Sequence, residues 1–225
     1  IPVRFFLLIS LMFLSIVVRA ESTNNDLVQF KISSLQLFSS FSSFTYFQGD
    51  ERNRARLFKA KDQANRDLAR LENPEAVLID KWNDVIAYVE RYESFNFDGG
   101  DMGLEVSWSI LRREFNIIID PLIAQKMNPI DVLKINMEII LSQYMGYANS
   151  TTGGYNVSSS EESLEKKIES FTQSLQKFAK TDDKFQPLNK KWGYINGTLA
   201  AYNSNVAPFV VLYTYDSMRK MIASL

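Results

Sequence analysis

Apolar side chains recur along this 225-residue chain at helical rather than strand spacing. In residues 24–48 they fall at Leu27, Phe30, Leu37, Phe38, Phe41 and Phe44, mostly three, four or seven positions apart, which predicts a helix. Serine pairs at 33–34, 39–40 and 42–43 fill the intervals. Serine is a mediocre helix former, so this segment needs tertiary packing to hold its shape. Gly49-Asp50 marks a break. Residues 51–72 are densely charged, with Leu57, Phe58, Leu68 and Leu71 as the apolar positions, and predict a surface helix with a narrow buried stripe. Asn73-Pro74 reads as a cap with proline in the first turn. The helix that follows runs to about Tyr92 on the stripe Leu78, Trp82, Val85, Val89, Tyr92. "FDGGDMG" (97–103) is a loop, and a fourth helix covers about 104–125, bent or ended by Pro121.

The pattern then starts again. Asn128-Pro129 repeats the cap-and-proline start, and residues 130–147 are rich in Ile, Leu and Met. "NSTTGGYNVSSS" (149–160) is a polar loop. A charged helix opens at Ser160, with Leu164, Ile168, Phe171, Leu175 and Phe178 on its buried side. Helices over 183–202 and 206–224 complete the chain.

The two passes align. At a shift of 110, Phe58, Leu68, Leu78, Lys81, Trp82, Val85, Val89 and Tyr92 meet Ile168, Phe178, Leu188, Lys191, Trp192, Ile195, Leu199 and Tyr202. At a shift of 100, "SSFTYF" (42–47) meets "SQYMGY" (142–147), and the difference matches the long 149–160 loop. Trp108 with Arg112 and Arg113 aligns weakly with Tyr215, Arg219 and Lys220. The expected fold is therefore all-α: a helical bundle of about eight helices, a tandem duplication of a four-helix unit. The units are 21–127 and 128–225, packed as one compact body.

The N-terminus bears on compartment. Arg4 precedes the apolar run "FFLLISLMFLSIVV" (5–18), and small residues flank Arg19. The run is shorter than the ~20 residues a bilayer span needs, so residues 1–20 read as a secretory signal peptide, with an uncleaved anchor as the alternative. The expected location is the bacterial periplasm. The sequons at Asn149, Asn156 and Asn196 would matter only in a eukaryotic secretory path.

Composition removes whole classes of chemistry. Net charge is −1, which gives no argument for a nucleic-acid partner. The chain has no cysteine, hence no disulfide framework. It also has no histidine, which excludes histidine-based acid–base and triad catalysis and the usual zinc sites. No cofactor, metal site or catalytic residue is expected. The remaining enzymatic idea is a carboxylate-based hydrolase using Glu105 with Glu114, or Asp98 with Asp101.

The candidate ligand-binding residues are Trp82, Trp192, Tyr92 and Tyr202, matched across the repeat, and Arg112 as an anion clamp. Buried tryptophan in an apolar stripe also serves simply as core. The basic cluster Arg52, Arg54, Arg56, Lys59 and Lys61 reads as a solvated helix face. The expected function is an exported, non-enzymatic binding or interaction module, accessory to a membrane sensor or envelope complex. Its partner would be a small molecule or an envelope protein. The alternative is a helical protein in peripheral contact with a membrane surface, through the Phe-rich first and Ile-rich fifth helices.

Overall fold

Eight α-helices and no strand make up the described residues of the computed structural model, which are 25–95, 102–124, 127–149 and 163–225. The proposed leader, positions 97–101 of the expected 97–103 loop and the sequon at Asn156 lie outside them, while Met102 and Gly103 already belong to a helix. The helices are α1 (25–46), α2 (Glu51–Leu68), α3 (Ala76–Tyr92), α4 (Met102–Ile123), α5 (Pro129–Asn149), α6 (Leu164–Thr181), α7 (Gln186–Ala200) and α8 (Pro208–Ala223). A 3-10 turn at Asp183–Phe185 leads into α7. No described helix is long and apolar enough to cross a membrane.

Local chemistry explains the boundaries. Helix α1 ends with Gln48 at φ 56° and Gly49 at φ 75°. The Gly49 N–H bonds to the Phe44 carbonyl and the Gln48 N–H to that of Thr45, a Schellman pattern with glutamine in the left-handed place usually held by glycine. Asp50 then caps α2 by accepting from the Asn53 N–H at 2.7 Å. Asn128 caps α5 as expected, its side-chain oxygen accepting from the Ile130 and Asp131 N–H groups, each at 2.9 Å. Ser163 caps α6.

Asn73 does not cap α3. It sits at φ 52°, and the helix begins at Ala76 behind a Glu75 that makes no side-chain cap. Pro74 disfavours the α conformation at residue 73, and asparagine tolerates the left-handed region, so the pair makes a turn and delays the helix. Pro121 does not end α4, which continues to Ile123.

The core forms two hydrophobic clusters. One gathers α1 to α4 around Trp82, Trp108 and Phe115, and the other gathers α5 to α8 around Tyr144, Trp192 and Tyr215. Helices α3 and α7 bury the same positions of their matched stripes: Leu78, Trp82, Val85 and Val89 against Leu188, Trp192, Ile195 and Leu199. The charged helices differ from expectation. Leu57 is buried and Phe58 is 38% exposed, so burial equates Leu57, not Phe58, with Ile168. Ala60 and Ala64 complete the inner face of α2.

Helices α1 and α5 join the clusters. Gln36 bonds to Glu138, and Asn149 to Thr45, so rising numbers pair with rising numbers and the two helices run parallel. Both are buried nearly all round. The phenylalanines of α1 and the isoleucines Ile135 and Ile140 of α5 lie in the core, and Val132 of α5 is exposed.

Candidate functional site

The seam between the clusters is polar, and α1 supplies most of it. All six serines of its paired positions are buried. Four satisfy their hydroxyls within the helix: Ser33 donates to the Phe30 carbonyl, Ser34 to Lys31, Ser39 to Gln36 and Ser43 to Ser39. Such back-bonding lets serine sit in a core without an orphan polar group. Ser42 reaches out to Glu105 on α4. Of the six, Ser40 makes no side-chain hydrogen bond among the described residues, and it opens into a cleft; the enclosed side-chain atoms left without a partner are Gln143 Oε1 and the Tyr215 hydroxyl.

Three charged clusters stand out: the first joins α1 to α4 within one half, and the other two cross the seam. The Lys31 ammonium is wholly buried, donating to Asn116 at 2.6 Å and lying 2.8 Å from Asp120. Burial pulls its pKa down, and Asp120 opposes that shift. Glu138 on α5 is 1% exposed and accepts from both Nε and Nη2 of Arg219 on α8 at 2.7 and 2.6 Å. Arg219 also meets Asp216, which in turn accepts from Arg56 of α2. This chain of charges ties α2 and α5 through α8.

The third cluster surrounds Glu105. Its Oε1 accepts from Ser42 at 3.1 Å and its Oε2 from the Asn149 amide at 3.0 Å, while Asn149 also donates to Thr45 at 2.6 Å. A Cβ on Gly146 would stand 3.0 Å from Oε1, so glycine there allows α5 to lie against the carboxyl. Burial pushes the Glu105 pKa up to about 7, against the opposing pull of Asn149, Arg112 and Ser42. Asn149 is thus occupied in the interior, which contradicts its use as a glycan acceptor.

Beside the second cluster lies an open cleft of about 540 Å³. Gln36 and Ser40 of α1 form its floor. Arg56, Lys59, Ala60 and Gln63 of α2 make one wall, and Asp216, Arg219 and Lys220 of α8 the other. Both halves of the chain therefore build it.

The residues expected at a ligand site are distributed differently. Trp82 and Trp192 are each 1% exposed and line none of the described clefts. Trp82 donates its indole N–H to Asn65 at 2.9 Å, and Trp192 donates to Thr172 at 2.8 Å, as core tryptophans do. Tyr92 is half-buried against Tyr88 and Phe95. Tyr202 donates to Glu165 at 2.7 Å and packs on Tyr147; burial and the Glu165 contact push its pKa up to about 12. Arg112 donates to the Ser142 carbonyl and hydroxyl at 3.1 Å, so it clamps α4 to α5.

The carboxylate pairs fare no better. Glu105 is enclosed, whereas Glu114 is half-exposed and bonds Lys81, so the two share no cleft; Asp98 and Asp101 lie outside the described residues. Among the described residues no group of three or more metal-ligating side chains comes together. The basic face of α2 is engaged more than expected: Arg54 donates to the carbonyls of Glu93, Phe95 and Gly49, Arg56 pairs with Asp216, and Lys61 pairs with Glu93. Sequence reasoning passed over Ser40, Gln36 and Lys220. The signal was the density of serines on an otherwise phenylalanine-rich helix, which marks a helix with polar obligations inside the protein. No family model, curated protein or solved structure matches the chain.

Proposed function

We propose that the chain is an exported, non-catalytic helical binding module, built by duplication of a four-helix unit, whose ligand site is the cleft between α1, α2 and α8. One observation carries this reading. Ser40, whose hydroxyl makes no hydrogen bond within the described fold, lines a cleft of about 540 Å³, within the usual range for small-molecule sites. A hydroxyl that opens into a cleft of this size is free to donate to a bound ligand. The matched tryptophans support each half from within.

The test is native mass spectrometry of the protein extracted gently from its source, as wild type and as Ala55→Trp. Ala55 lines the cleft from an exposed position, so tryptophan there blocks it without touching the core. A small bound mass present in the wild type and absent from the variant is the expected result. A mass that survives in the variant, or a bound polypeptide in its place, would refute the assignment.

A further inference from the structure

The charges of the cleft restrict what it can hold, an inference that rests on the cleft being the binding site. We propose that the ligand is a small oxyanion, a carboxylate or a phosphate, held between Lys59 and Lys220 with the Ser40 hydroxyl donating to it.

Four cationic side chains line the cleft against one carboxylate, Asp216. That carboxylate is already engaged, by Arg56 and by Arg219. The Arg219 guanidinium is fixed from behind by Glu138. The arginines thus form a braced cationic rim whose orientation is set before any ligand arrives, which lowers the entropic cost of binding. Lys59 and Lys220 differ: neither has an ion pair among the described residues. They stand on opposite walls, one from α2 and one from α8, and each ammonium is exposed to the cleft. Ser40 offers a third donor on the floor, and the Gln36 and Gln63 amides flank it.

Donors from three sides around an excess of positive charge suit an oxyanion, which accepts several hydrogen bonds at once. A cation would meet like charge on both walls. A neutral ligand would gain nothing from two unpaired lysines. A long polyanion is disfavoured because the molecule as a whole carries a charge of −1.

The proposal is tested on the full chain by backbone amide NMR at constant ionic strength. The probes are inorganic phosphate, succinate and, as the neutral control, glycerol. Saturable shifts at Ser40, Lys59 and Lys220 with phosphate or succinate, and none with glycerol, are expected; which oxyanion binds tighter separates the two sources. Lys59→Ala and Lys220→Ala should each weaken binding roughly tenfold, the worth of one charge-assisted hydrogen bond. Ser40→Ala should weaken it by a smaller factor while leaving the ligand-free spectrum unchanged away from the cleft.

Shifts at the cleft with glycerol alone overturn the oxyanion and leave the cleft standing as a site. Saturable shifts confined to another surface overturn both readings. Oxyanion binding that is unchanged in the lysine variants, or no saturable shift with either oxyanion, overturns the proposal.

Discussion

Replacing Glu105 by glutamine tests the electrostatics of the seam most directly. The carboxyl is enclosed by α1, α4 and α5, and its pKa stands at about 7 rather than 4.5. Such a lift penalises the ionised form by about 3 kcal/mol, at about 1.4 kcal/mol per pH unit. The folded protein holds this proton more tightly than the unfolded chain does. The stabilisation is therefore fully present below about pH 4.5 and is lost as the pH rises through about 7. The hydrogen bonds define the protonated form. Oε2 faces the Asn149 amide, a donor, so the proton of the neutral form belongs on Oε1, and the Ser42 hydroxyl, which donates to Oε1 in the structure, must turn to accept it.

Glutamine can copy that arrangement, with its oxygen toward Asn149 and its amide toward Ser42, and it does not titrate. Denaturant unfolding of the wild type and Glu105→Gln should give similar free energies near pH 4.5, at most about 1 kcal/mol apart. Above about pH 7.5 the variant should be the more stable by up to about 3 kcal/mol. The charged group facing the site is Arg112, whose pull is already included in the value of about 7. Parallel stability profiles across this pH range would show that the carboxyl is solvated or paired, and the account of the seam would fail.

Two further outcomes follow from the core and the turns. Trp82→Ala and Trp192→Ala should each cost about 3–5 kcal/mol, whereas Tyr194→Ala, at a side chain 66% exposed, should stay within about 0.5 kcal/mol; calorimetric melting of the three variants checks the ranking. Gln48→Gly should stabilise by about 1 kcal/mol, since it removes a side chain from the left-handed position that closes α1; a lowered melting temperature would mean that the glutamine side chain contributes more than the backbone strain it imposes.

Periodicity alone located eight helices and the matched stripes of α3 and α7, because each of these stripes is a single row of large apolar residues facing one neighbour. It misjudged α2, where Leu57 and Phe58 are adjacent and alanines form the inner face, so hydrophobicity alone cannot choose the buried member. Its reading of Trp82 and Trp192 as core fillers agrees with their burial, whereas it assigned the basic residues of α2 to solvent, although Arg56 crosses to α8.

Helical class, the apolar stripes and the absence of histidine and cysteine chemistry belong to the sequence itself, since residue identity and local spacing are enough to set them. The parallel pairing of α1 with α5, the enclosure of Glu105 and the cleft bounded by Ser40, Lys59 and Lys220 belong to the tertiary structure. Each depends on polar groups far apart in the chain being brought together by the fold, as Ser40 and Lys220 are around one cleft. Burial and charge balance at such a meeting are properties of the packed helices together, and no single helix carries them.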